Sequence, residues 1–466
     1  MTVPGPVGRS GPSRALPALL AALAVVGCTV VGAPAGSPPA PEPGPTVPAE
    51  VPVDVPMRQP EPDRGGDPGL PPSWPARTMS GVRHFEEVRG VWVVRTTMNR
   101  AESIRAMVDE AAAAGVNTLL LQVRGRGDAF YRSRWEPRAE TVQGTPGFDP
   151  LALAIEEAHS RGMAVHAWIN THLVWGLADL PDSPHHLVNA HPEWLAVPRT
   201  LGRDLYGVRP DEPRYLNALV SHARADEQTE GVYSSPSDPA VQERVYSVWM
   251  DLVERYDLDG LHFDYVRYPS GEFDYSRGAL ERFRAWVSPR LPPERVRELD
   301  AAAARDPYAW VDALPGPWGE FRRAQITTLV ERIYHGVKAR RPDLTVSAAV
   351  FANRVDAYRN RYQDWPRWLD EGILDVVVPM AYSTDDARFR EQIRDARGAA
   401  DRRERVWAGV GAYLNGVDGT LSKVRIARDE GAGGVILFSY DWMATEGSPA
   451  GSMPFLRRVG AAAFGR

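Results

Sequence analysis

Asp259-Gly260-Leu261-His262-Phe263-Asp264-Tyr265-Val266-Arg267-Tyr268-Pro269 decides how this chain is read. Side chains alternate faces along a β-strand, so His262 and Asp264 point one way while Leu261, Phe263 and Tyr265 point the other. The apolar face suits packing against helices, and the polar face suits a wet or reactive surface. In a parallel α/β barrel the carboxyl ends of the strands form the rim that carries the chemistry, which would put Asp264 at that rim.

Working outward, the chain after Gly81 alternates short apolar runs with amphipathic stretches. Strands are expected over 89–96, 117–124, 164–171, 260–268, 345–351, 374–382, 406–413 and 434–441, and helices over 101–114, 150–161, 240–256, 321–340, 365–371, 386–399 and 422–430. Glycine stands just past several of these helices, at Gly115, Gly162, Gly372 and Gly431, as a helix stop signal should. Eight near-continuous apolar strands alternating with helices predict an α/β fold, a (β/α)8 TIM barrel, with a doubly wound open sheet as the competing fold. Two connections, 171–239 after the third strand and 269–319 after the fourth, are far longer than such a loop requires and should rise over the same rim. They carry Trp175, Trp194, Tyr215, Tyr233, Phe273, Tyr275, Trp310 and Trp318, which could stack on sugar rings or simply fasten the long loops down.

Composition narrows the function. The chain has 466 residues, 43% hydrophobic and 24% charged, with a formal net charge of -6, so it can bury a large core and offers no basic excess for nucleic acid. Lysine occurs only at Lys338 and Lys423, which leaves Schiff-base chemistry almost without a candidate. The single cysteine, Cys28, rules out an intramolecular disulfide framework. Arg9 and Arg14 precede an apolar run over 15–26, and Val25-Val26-Gly27-Cys28 resembles a lipobox, so residues 1–27 read as a lipoprotein signal peptide. Acylation of Cys28 would then anchor the protein to a membrane outside the cytoplasm. Residues 28–80, rich in Pro and Gly, read as a disordered tether, and 81–466 as the barrel domain.

Several segments resemble the glycosyl-hydrolase-like family 10, TIM-barrel lipoproteins related to glycoside hydrolases. The resemblance rests on Arg89-Gly90-Val91-Trp92, residues 117–124, His191-Pro192-Glu193-Trp194-Leu195, residues 259–269, 318–343, 374–382 and 433–442. It implies hydrolysis of a polysaccharide or cell-envelope glycan, such as peptidoglycan glycan strands. Many members carry two successive acids where this chain reads Asp264-Tyr265. A weaker resemblance to family 18 chitinases joins Asp264, Met380-Ala381-Tyr382 and Gly433 to Trp442; the general acid of those enzymes falls on Val266 here.

Glycosidic cleavage commonly uses a proton donor and a second carboxyl that stabilises or attacks the anomeric carbon. Asp264 fits the second role, ionised beside His262, Arg267 or Arg124. Asp441, at the end of the eighth strand, is the first candidate for proton donor, with Asp385, Asp386 and Glu272 behind it. Tyr382 can donate a hydrogen bond to a developing oxyanion or an acetamido group. Gln122 and Arg124 on one strand face, His166, Trp168 and Asn170 on another, and Trp442 complete the expected substrate contacts. No HExxH or calcium-loop spacing occurs, so neither metal nor other cofactor is expected. Deacetylation would need a metal-binding His and Asp set that cannot be assembled here. The different-class reading is a catalytically inactive glycan-binding lipoprotein, motivated by Val266.

Overall fold

The computed structural model describes residues 81–226, 229–448 and 453–465. Cys28, the apolar run before it and the Pro-rich segment lie outside the described residues. Eight parallel strands close into a barrel: β1 (Val88–Val93), β2 (Thr118–Arg124), β3 (Ala164–Asn170), β6 (Gly260–Asp264), β7 (Thr345–Phe351), β8 (Val376–Met380), β9 (Trp407–Gly411) and β10 (Gly434–Phe438). Helices lie between them in sequence, and the expected TIM barrel is the fold observed. A short antiparallel hairpin, β4 (Leu173–Trp175) with β5 (Val232–Tyr233), stands apart from it.

Alternation divides the barrel strands into two faces. Leu261 and Phe263 enter the layer between sheet and helices, where Trp249 lies against Phe263 with ring centroids 4.0 Å apart. The opposite faces of the strands fill the barrel with Trp92, Leu120, Trp168, Val378, Trp407 and Ile436. Three indoles in so narrow a space need neighbours without side chains. A Cβ on Gly409 would stand 2.7 Å from the Pro379 carbonyl and 3.0 Å from the Trp92 ring, and one on Gly260 would stand 2.6 Å from the His166 ring.

Polar residues at the strand entrances tie the floor together by one repeated device. Asn117 accepts from the amide of Arg89 (2.9 Å), Asp259 from Val165 (2.8 Å) and Asp375 from Val346 (2.8 Å). In each case the residue entering one strand binds the preceding strand in the barrel, satisfying an amide at the barrel's end and fixing the register. Asp259 also holds His159 at 2.9 Å, so the Asp259-Gly260 pair of the deciding stretch belongs to the floor.

Both long connections form subdomains with their own apolar cores. The first gathers Val174, Leu187, Leu195, Leu219 and Val232; the second gathers Tyr275, Phe283, Tyr308, Trp310, Trp318 and Phe321. Of the eight aromatics expected on these loops, Tyr215, Tyr233, Phe273, Tyr275, Trp310 and Trp318 are buried, and only Trp175 and Trp194 are half-exposed. They fasten the loops rather than line a sugar-binding rim.

Two substitutions test this architecture. Gly409→Ala should lower stability by about 1–3 kcal/mol through overpacking against Trp92 and Pro379, measured by denaturant unfolding. The buried imidazole of His166 is pushed down to about 4 by loss of solvation. The unfolded chain therefore takes up a proton between about pH 6.5 and 4 that the folded barrel refuses, so stability falls as pH drops through that window. The shift is worth about 3 kcal/mol, and His166→Gln should show a correspondingly shallower decline from pH 7 to 4.

Candidate active site

Strand β6 ends at Asp264 and does not run on to Tyr268, because Tyr265 turns into the left-handed region at φ 51°. A bulky side chain rarely adopts that conformation, and its cost is a mark of functional sites. The turn leaves Asp264 at the barrel mouth with both carboxylate oxygens accepting. Oδ2 takes the Trp168 indole N–H (3.1 Å), while Oδ1 takes the Tyr265 amide (2.7 Å) and the Arg267 guanidinium (3.4 Å). Burial pushes the Asp264 carboxyl above its ordinary value, and the Arg267 charge and these donors work against that rise.

Arg267 is almost wholly buried, and its other terminal nitrogen lies 3.6 Å from Glu230. Glu230 accepts a hydrogen bond from the Tyr233 hydroxyl (2.7 Å) and is about a quarter exposed. One guanidinium thus joins the strand-end carboxylate to a second carboxylate brought over from the β4–β5 hairpin. Gly231 makes that placement possible: it sits at φ 155°, and a Cβ there would stand 1.9 Å from the Trp175 carbonyl. The His191-Pro192-Glu193-Trp194-Leu195 segment braces the same hairpin. Trp194 stacks on His191 at 3.8 Å, its carbonyl accepts from the Ser235 amide, and Leu195 bridges to Ser234.

Phe438, half-buried at the end of β10, is the hub of an aromatic basin beside Asp264. Its ring lies 5.6 Å from Tyr382, 6.0 Å from Tyr413, 6.0 Å from Trp92 and 6.5 Å from Trp168. Burial raises the Tyr382 hydroxyl well above 10, so it stays protonated and able to donate. Asn170 pairs in register with Asp264 and accepts from Gln122 at 3.2 Å, bringing both amides to the same mouth.

Other expected contacts lie elsewhere. A bulge between Gln122 and Arg124 breaks the strand alternation, so Arg124 pairs in register with the outward-facing Ile169 instead of sharing a face with Gln122. Its guanidinium is fully buried against Glu136 (2.9 Å) and the Thr171 carbonyl (3.1 Å). His262 is sealed one layer below Asp264. Its Nε2 accepts from the Trp92 indole (3.1 Å), so Nδ1 carries the proton and donates to Ser347 Oγ (2.9 Å), which leaves no bond to Asp264. His166 lies deeper, against Trp407 at 5.6 Å.

Asp441 is not at a strand end: β10 stops at Phe438, and Asp441 stands in the first turn of the helix Tyr440–Ala444. Its carboxylate, raised by burial, accepts from the Val94 amide (2.6 Å) and from the Thr96 and Thr97 hydroxyls. Trp442 donates to Glu446 (3.1 Å) and packs on Phe455. Asp385 caps the helix Asp386–Gly398, Asp386 pairs with Lys423, and Glu272 is exposed. Val266 is buried in the layer behind the strands. Among the described residues no cluster of three or more His, Cys, Asp or Glu is arranged to hold a metal ion.

The model of the glycosyl hydrolase-like 10 family matches residues 87–413, which takes in the whole of this site except β10 and Asp441. The chain belongs to that family. Similar curated proteins include glycosyl hydrolase YngK of Bacillus subtilis, 24% identical over 65% of this chain and 56% of the relative. Glycosyl hydrolase DigH of Escherichia coli K12 is 26% identical over 59% of this chain and 56% of the relative. The chain thus spans about half the length of the curated relatives it matches. Solved structures agree on the fold. The glycoside hydrolase domain of PgaB (BpsB) from Bordetella bronchiseptica aligns with a TM-score of 0.53 at 15% identity, over 78% of this chain and 97% of that one. The catalytic domain of a Paenibacillus polymyxa β-amylase aligns at 0.55 and 11% identity, over 82% and 98%.

Glu230, Phe438 and Tyr413 were not among the residues expected from sequence. The hairpin that carries Glu230 folds back from inside a long insertion, and only Gly231 beside it hints at a close backbone approach. The two buried-charge pairs should separate in mutagenesis. Glu136→Gln should cost about 3–5 kcal/mol by stranding the Arg124 charge, whereas Glu230→Gln, partly exposed, should cost about 1 kcal/mol or less, both read by chemical denaturation.

Proposed function

We propose that this protein hydrolyses glycosidic bonds in a polysaccharide or cell-envelope glycan, with peptidoglycan glycan strands a substrate in keeping with the expected lipid anchor at Cys28 and an extracytoplasmic location. The observation that carries the reading is the pair of carboxyls, Asp264 and Glu230, held by one buried guanidinium beside an aromatic basin. Asp264, desolvated and accepting N–H bonds on both oxygens, suits the group that stabilises or attacks the positive anomeric carbon. Glu230, closer to solvent, suits the proton donor to the leaving oxygen, in preference to Asp441, whose oxygens are taken up by Val94, Thr96 and Thr97. The Tyr382 hydroxyl, with no protein partner among the described residues, suits a hydrogen bond to a sugar substituent. Sugar faces would lie on Phe438 and Tyr382, with Trp168 and Asn170 below, and Gln122 at the edge.

Family membership and the barrel fold support glycan hydrolysis in general; the roles of individual residues rest on the geometry above. Reducing-end release from purified glycan strands tests them on the full chain. Asp264→Asn and Glu230→Gln should each lower the rate by about a thousandfold, and Asp441→Asn by far less. Asp264→Asn should also lower the melting temperature, because it takes from the buried Arg267 guanidinium the nearer of its two carboxylate partners. Retention of glycan without shortening by the wild type would instead support the binding-lipoprotein reading.

A further inference from the structure

Beside the Asp264 site the mouth holds two guanidiniums that the protein neutralises only in part. Arg95, just beyond β1, is half-buried and donates from Nη1 to Gln122 Oε1 at 3.1 Å. Arg126, just beyond β2, donates from Nη1 to the Gly125 carbonyl at 3.1 Å, and its Nε is buried with no hydrogen-bond partner. Neither forms an ion pair among the described residues, in a chain where most arginines do. Space is cleared for both: a Cβ on Gly125 would strike the Arg95 side chain at 2.2 Å, and one on Gly176 would stand 3.2 Å from Arg126 Nε. Loss of solvation and then the Arg126 charge lower the Arg95 guanidinium to about 10, outweighing the pull of Asp128 and Asp441. Both side chains lie against Gly125, and neither is in ion-pair contact with a carboxylate among the described residues, a state that an incoming anion relieves.

The pair is continuous with the proposed catalytic groups. The Gly125 carbonyl that holds Arg126 also accepts from Asn170 (2.8 Å), the register partner of Asp264. We infer that Arg95 and Arg126 form an anion subsite that receives the carboxylate of an acidic sugar within the glycan. A singly charged carboxylate fits better than a phosphate dianion, because Asp128 and Asp441 already supply part of the compensating charge and would repel a second negative charge. The planar forks of two arginines match a carboxylate through charge-assisted hydrogen bonds.

This inference deepens the hydrolase reading for the choice of glycan, but its test does not depend on turnover. Peptide-free glycan strands bearing free sugar carboxylates are compared with the same strands after chemical reduction of those carboxylates to alcohols. Calorimetric titration uses the full chain carrying Asp264→Asn. The acidic strands should bind at least about tenfold more tightly, Arg126→Gln in that background should bring the ratio to near one, and Arg126→Lys should retain part of it. Equal binding of the two glycans, binding of neither, or a ratio untouched by Arg126→Gln overturns the inference. Wild-type cleavage of both glycans at equal rates would overturn it while leaving the hydrolase reading intact. A tenfold binding preference without any cleavage would do the reverse.

Discussion

The buried guanidinium of Arg267 is the contact on which the barrel mouth depends. It touches Asp264 at the end of β6, Glu230 from the β4–β5 hairpin, the Tyr265 ring at 4.2 Å and the Phe351 ring at the end of β7 at 5.0 Å. Three separate segments are thereby referred to one point charge. A buried arginine is tolerable only when opposite charges and π-faces replace its water, and two carboxylates with two rings do so here. The left-handed turn at Tyr265 lays its ring against the guanidinium that follows two residues later in the chain.

The barrel was legible in the sequence because parallel strands covered on both faces read as unbroken apolar runs, and their interior positions alternate with glycines that leave room for indoles. Asp264 was legible for the same reason: it is the last polar residue on the inward face of such a run. Strand ends were less so. A positive φ at Tyr265 and a helix starting at Tyr440 carry no compositional mark, so β6 and β10 were expected to run too far, and Asp441 was expected at a strand end. The bulge at Gln122 and Arg124 adds one residue without changing the local pattern, and the alternation argument carried Arg124 onto the wrong face. Glu230 was out of reach because its partner in space, Arg267, lies across an insertion whose return path no periodicity encodes.

The two histidines expected at the substrate show how depth within a barrel separates structure from chemistry. His262 shares the inward face with Asp264 but lies one layer lower, where Trp92, Ser347 and the Leu261 carbonyl complete a one-directional chain of hydrogen bonds. A closed chain of that kind has no site left for a ligand. Polar groups there specify the packing of the core, in the manner of any fully satisfied buried network.

Satisfaction of polar groups therefore changes along the barrel axis. At the floor, Asn117, Asp259 and Asp375 complete the amides of neighbouring strands, and in the middle His166 Nδ1 lacks a partner. At the mouth, Arg126 Nε, Arg267 Nε and the Tyr413 hydroxyl are buried without a hydrogen-bond partner. Buried atoms without partners occur elsewhere too, Arg89 Nε and Arg341 Nη1 at the strand entrances among them, but those at the mouth adjoin an aromatic basin that a ligand rich in hydroxyls would complete. Side chains of the chain itself thus meet the amides where strands enter the barrel, while polar atoms beside the basin where they leave it are left for a ligand to meet.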